Sequence, residues 1–125
     1  METTAGMKGG VRFVPYVSDS QCKGFLEVLK EKFSSKDRIL GNGFIYTSDL
    51  FFDPFIAKGC ARIFAKKFAS LDADMIVTVE TKGIGVALFT AELLNLPLVV
   101  VRHESKVSDG STVSINYFSG STERV

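Results

Sequence analysis

Residues 78–88 read TVETKGIGVAL, and their reading decides the fold. Thr78 and Val79 close a β-branched run, MIVTV (75–79), and an apolar helical pattern follows through GIGVALFTAELLNL (83–96). Asn95 and Pro97 stop that pattern, and PLVVVR (97–102) resumes a β-branched run. Short apolar runs of this kind are expected as buried strands. Strand, helix and strand form one βαβ unit, which predicts parallel strands joined by a right-handed crossover. Ligands of such sheets collect at the carboxyl ends of the strands. Glu80, Thr81, Lys82 and Gly83 lie at such an end. Gly83 and Gly85 are expected to allow a tight turn and a close backbone approach to a ligand. The helix that follows offers unpaired N–H groups and a partial positive charge, and Lys82 adds a point charge, so the stretch reads as an anion site with phosphate as the usual guest. The same residues also fit a plain βα turn with Lys82 solvated. The stretch is neither GxGxxG nor GxxxxGK[ST], which excludes a dinucleotide fingerprint and a Walker loop.

Upstream, METTAGMKGG (1–10) reads as a tail or linker and VRFVPYV (11–17) as a short strand broken at Pro15. Ser18 and Gln21 have capping-box spacing. Phe25, Leu26, Val28, Leu29 and Phe33 follow as one apolar helical stripe. SSKDRILGNG (34–43) is a polar connector, and GFIYTSDLFF (43–52) is expected as a strand that turns polar at Thr47, Ser48 and Asp49. Asp53-Pro54 starts a helix, with the acid at the N-cap and proline at the first helical position. Ile56, Cys60, Ile63, Phe64 and Phe68 are expected to be its buried face. Downstream of Arg102 the chain is polar and rich in Ser and Gly, and STVSINYF (111–118) alternates like an exposed strand.

The 125 residues suit one domain with one core, which eleven Phe should fill. The net charge of +1 gives no overall field for nucleic acid or an anionic membrane. No apolar run reaches spanning length and no signal-peptide pattern opens the chain. Cys22 and Cys60 stand far apart with no CxxC, against a zinc site or a disulfide framework, and are expected as reduced, buried thiols of a cytoplasmic protein. His103 is the sole histidine and no GxSxG occurs, which argues against a nucleophilic triad. Asp72 and Asp74 sit at the wrong end of the MIVTV strand for chemistry and read as turn formers.

TVETKGIGVAL (78–88), LPLVVVRHESKV (96–107) and GSTVSINYFSGS (110–121) together resemble the type I phosphoribosyltransferase fold. With GGVRFVP (9–15) and GFIYTSDL (43–50), they are most similar to the purine operon repressors of Gram-positive bacteria, whose effector domain has that fold. The likeness runs from Gly9 to Val125, and GSTVSINYFSGS is its most specific piece. It implies an α/β fold, a mostly parallel sheet flanked by helices, that binds phosphoribosyl pyrophosphate (PRPP).

By this resemblance Thr81, Lys82 and Gly83 match the loop that cradles pyrophosphate. Arg102, His103 and Lys106 match the start of a flexible loop that closes over PRPP, with His103 where a lysine is usual. Tyr46 and Asp49 match the hood over the purine or effector base. Glu80 departs from the repressor pattern, which has a small residue there, although xanthine phosphoribosyltransferases carry acids at this place. The family's strongest signature, a strand followed by two acids and a Gly-Thr-rich loop, is expected beyond Val125, and a winged-helix DNA-binding domain is expected before the chain. Residues 1–8 are then a linker or tail and residues 9–125 the N-terminal part of the effector domain, incomplete at its C-terminal end. The implied function is effector sensing in a purine biosynthesis repressor rather than catalysis. PRPP or a purine nucleotide is the implied effector, with Mg2+ in the complete domain. Operator DNA is reached through the winged-helix domain, and the protein is a homodimer without membrane contact. The alternative is a fragment of an adenine- or xanthine-type purine phosphoribosyltransferase.

Overall fold

A computed structural model describes residues 2–3, 11–12, 17–104 and 113–115. Its elements run β1 (Glu2–Thr3), β2 (Val11–Arg12), α1 (Asp19–Phe33), a 3-10 turn (Lys36–Arg38), α2 (Ser48–Phe51), α3 (Pro54–Phe68), β3 (Ile76–Val79), α4 (Gly83–Leu94) and β4 (Leu98–Val101). β1 and β2 pair antiparallel. β3 and β4 pair parallel, with Ile76 opposite Leu98 and Val79 opposite Val101, so the βαβ unit forms as its pattern predicts.

The caps written in the sequence are made. Gln21 N–H donates to Ser18 Oγ (3.3 Å), and Ser18 N–H donates to Gln21 Oε1 (3.0 Å), which closes the capping box of α1. Phe55 N–H donates to Asp53 Oδ1 (2.8 Å) ahead of α3, with Pro54 in the first turn. Asn95 ends α4 in the left-handed region at φ 53°, and Leu96 N–H returns to Ala91 O (3.0 Å).

The core lies between α3 and α4. Ile56, Ala57, Ala61 and Ala65 of α3 and Val86, Ala87, Thr90 and Ala91 of α4 are buried. The hydroxyl of Thr90 donates to Val86 O (2.8 Å), which satisfies the one buried polar side chain among the described residues. This corrects the expected face of α3. The seam between the helices is built of alanines, whose small side chains let helix axes approach closely. Cys60 and Ile63 are half-buried beside it, and Phe64 (42%) and Phe68 (37%) remain exposed. Cys22 and Cys60 are free and half-buried, and burial pushes the Cys60 thiol pKa up.

Two other expectations need correction. GFIYTSDLFF is not a strand: Ile39 and Ile45 form a single antiparallel bridge, and Ser48 opens the one-turn helix α2. The reason is the turn at Asn42-Gly43. Gly43 adopts φ 81°, Phe44 N–H donates to Asn42 Oδ1 (3.2 Å), and the chain folds back after three residues. The strands β3 and β4 are not buried on both faces either. Ile76, Thr78, Leu98 and Val100 turn inward, while Val77, Val79, Val99 and Val101 are exposed among the described residues. Val113 and Ile115, within the expected strand 111–118, belong to no strand, and the rest of that stretch lies outside the described residues.

α1 buries no residue completely and rests on α3 and α2 through side chains. Phe25 meets Phe55 at 6.0 Å between ring centroids, and Phe33 meets Phe51 at 6.1 Å. A Cβ on Gly59 would overlap the Phe25 ring, so that glycine is what allows α1 to dock.

Candidate functional site

The parallel strands end side by side, and the ladder extends one residue further, with Glu80 N–H donating to Val101 O (3.0 Å). The peptide bond from Glu80 to Thr81 is cis. Thr81, Lys82 and Gly83 follow as an exposed loop whose Lys82 is the N-cap residue of α4. No side chain caps this helix start. It therefore presents a partial positive charge beside an exposed ammonium, an arrangement suited to an anion.

The glycines serve differently from the expected tight turn. Among the described residues only Gly43 has positive φ among glycines. A Cβ on Gly83 would stand 2.7 Å from Thr78 Oγ1, so glycine is imposed there by the approach of α4 to its own strand. A Cβ on Gly85 would meet only Phe51 O at 3.7 Å, an ordinary contact, so space does not demand the second glycine. That contact also shows α2 lying against the first turn of α4.

Glu80 joins this loop to the end of the neighbouring strand. His103 N–H donates to Glu80 Oε1 (2.8 Å), and Arg102 Nη1 lies 3.8 Å from Glu80 Oε2. Arg102 and His103 are thereby tied to the residue that immediately precedes Thr81, Lys82 and Gly83. Lys106 lies outside the described residues. Glu80, which reads in the sequence as a departure from a pattern, is the connecting residue. Its partners are 22 and 23 positions away, and only the parallel register makes them neighbours.

Tyr46 and Asp49, expected from the resemblance as hood residues, are held by a residue that sequence reasoning missed. Arg38 grips Asp49 through two hydrogen bonds, Nη1 to Oδ1 (2.8 Å) and Nη2 to Oδ2 (2.9 Å). The same Nη1 donates to Tyr46 O (3.2 Å), and Tyr46 N–H donates to Arg38 O (2.8 Å). The Arg38 hydrogen bond holds the Asp49 carboxyl below its usual range, and Asp49 in turn raises the Arg38 pKa. The Tyr46 ring stays exposed. The fold-back at Asn42-Gly43 was the one available signal for this pairing.

An apolar cavity of about 510 Å³ adjoins the anion loop, lined by Phe51, Phe64, Thr78 and Val86 among others, with Lys82 and Gly83 at its border. Among the described residues no three His, Cys, Asp or Glu side chains gather to hold a metal ion. No helix among them is long and apolar enough to cross a membrane.

The family described as "Phosphoribosyl transferase domain" matches residues 47–124. The chain is 45% identical, over 98% of its length, to a probable purine biosynthesis transcriptional regulator of Streptococcus pneumoniae, of which it covers 44%. It is 39% identical, over 98% of its length, to a purine biosynthesis transcriptional repressor of Bacillus subtilis, of which it covers 43%. A purine biosynthesis transcriptional activator of Lactococcus lactis is 38% identical over the whole chain, which covers 46% of that protein. A xanthine phosphoribosyltransferase of S. pneumoniae is 29% identical over 66% of the chain. The chain thus spans less than half the length of the curated relatives it matches.

Proposed function

The chain belongs to the phosphoribosyl transferase domain family, and from that premise we propose that it is the effector-sensing part of a purine biosynthesis transcriptional regulator. Residues 9–125 serve in this reading as the N-terminal part of the effector domain, and PRPP is the effector. The pyrophosphate meets the start of α4 at Thr81, Lys82 and Gly83. Arg102 and His103 flank it, and Tyr46 offers an exposed ring to a base. Mg2+ would accompany PRPP in the complete domain. Operator DNA is bound by a part of the regulator outside these residues, in a cytoplasmic homodimer.

The observation that carries this reading is the pairing of an uncapped helix start and exposed Lys82 with the ends of two parallel strands, in a chain whose likeness to regulators spans its length. The likeness to xanthine phosphoribosyltransferases is weaker and shorter, and keeps a purine phosphoribosyltransferase as the second reading. Calorimetric titration of the full-length protein with PRPP tests the first, beside an assay for pyrophosphate release with each purine base. Binding without turnover is the expected result. Turnover of any base would establish the enzyme instead.

A further inference from the structure

We propose that Glu80 is a positioning residue that sets the affinity of the anion loop from below, by holding Arg102 and the His103 amide until an anionic ligand competes for them. The inference rests on the reading of Thr81, Lys82 and Gly83 as a pyrophosphate loop. Glu80 immediately precedes that loop and continues the β3–β4 ladder through its own N–H. Its carboxylate is 27% exposed and spans to the neighbouring strand end. One oxygen accepts a short hydrogen bond from His103 N–H (2.8 Å). The other faces Arg102 at 3.8 Å, too long for a hydrogen bond but close enough for charge attraction.

Two consequences follow. A carboxylate beside a phosphate-binding loop repels the ligand, so the site binds more weakly than its helix start and Lys82 would allow. The Arg102 guanidinium, 35% exposed, is attracted to Glu80 without a direct hydrogen bond and stays free to turn toward an anion that forms a better pair. An incoming pyrophosphate would take over Arg102, and Glu80 would keep only the His103 amide. The acid thus raises the ligand concentration at which the loop fills while keeping the second strand end in register.

Glu80→Gln separates the two roles, because the amide oxygen still accepts from His103 N–H while the charge is gone. The full-length protein is titrated with inorganic pyrophosphate and with PRPP, in low and in high salt, with a thermal melt of each variant. Glu80→Gln is expected to tighten binding by roughly threefold to tenfold at low salt. The gain should shrink as salt screens the repulsion, which a merely structural role would not produce. Arg102→Ala should weaken binding more in the Glu80→Gln background than in the wild type, because Glu80 no longer competes for the guanidinium. Glu80→Ala, which also frees the His103 amide, reports the loss of register through its melt. Lys82→Ala is the control for the underlying reading. If it weakens binding while Glu80→Gln leaves binding unchanged or weaker, the inference about Glu80 is overturned and the loop stands. If Lys82→Ala and Glu80→Gln both leave binding unchanged, or the wild type binds neither ligand, the loop assignment and the inference fall together.

Discussion

Lys82 carries an exposed ammonium at the start of α4 and makes no capping bond there. Charge-assisted contacts to phosphate are worth roughly 1.5–3 kcal/mol. Lys82→Ala should therefore weaken PRPP binding about tenfold or more, with little change in melting temperature, since the exposed Lys82 side chain makes no hydrogen bond or ion pair among the described residues. Calorimetry beside thermal melts measures both. The glycines next to it make a sharper comparison. Gly83→Ala places a methyl against Thr78 Oγ1 and should destabilise, whereas Gly85→Ala meets open contact distance and should be neutral or stabilising by roughly 0.5–1 kcal/mol. Denaturant unfolding of the two variants decides it, and equal losses would mean that the α4 start moves freely on β3. Asp49 offers a test by pH. Its folded pKa lies below the ordinary carboxylate value, so its contribution is fully present above about pH 4 and is lost as pH falls through the lowered folded value. The melting-temperature gap between wild type and Asp49→Asn should hold steady from neutral pH down to about pH 5 and close in acid below about pH 4. A gap that stays open in acid would show that the Arg38 pair is not its source.

At the scale of elements, the docking of α1 depends on one missing Cβ. Gly59→Ala would push a methyl into the Phe25 ring and should cost about 1–3 kcal/mol, the usual range for overpacking. Phe25→Ala in the same chain removes the obstacle, so the double variant should lose less than the sum of the two single losses. A strictly additive pair in urea unfolding would place the strain elsewhere. The starts of α1 and α3 were readable in advance, because caps are local chemistry at fixed spacing: Ser18 with Gln21, Asp53 with Pro54. The βαβ unit was readable for the same reason, with Asn95 and Pro97 marking the end of α4 within a few residues. The buried face of α3 was not. Periodicity ranks large apolar residues as core, but here α4 approaches through Ala57, Ala61 and Ala65, and the phenylalanines border a cavity. The segment 43–52 has the composition of a strand, and one left-handed glycine with an Asn side-chain bond outweighs it. Within the candidate site, Thr81, Lys82 and Gly83 could be singled out together because they are contiguous. Arg38 and Glu80 could not, because each acts on residues 8 to 23 positions away through a fold-back or a strand register that no local pattern encodes.

For the whole molecule, the proposed function raises the question of how an anion at the strand ends could change what a regulator does on DNA. The surface of α3 is a poor candidate for contact with DNA. Lys66 is paired with Asp19 and Lys58 lies over the Phe89 ring at 5.1 Å, so two of its four cations are already engaged within the fold. With a net charge of +1 the chain has little general attraction for phosphate backbones. Operator affinity and PRPP affinity should therefore be separable by mutation. Coupling between two sites is reciprocal, so under the proposed function PRPP would shift operator affinity by the same factor as the operator would shift PRPP affinity. A variant damaged only in the anion loop keeps that factor and moves only the ligand concentration needed to reach it. The full-length Lys82→Ala regulator should bind operator with wild-type affinity in the absence of PRPP. In its presence the midpoint of the PRPP response should move up about tenfold, with the same plateau. This holds whichever direction the response takes, which matters because one relative is described as a repressor and another as an activator. Fluorescence anisotropy of labelled operator DNA, titrated with PRPP at fixed salt, reads both quantities from one curve. A changed affinity without PRPP and an unmoved midpoint would place Lys82 on the DNA-coupled surface and remove it from the effector site.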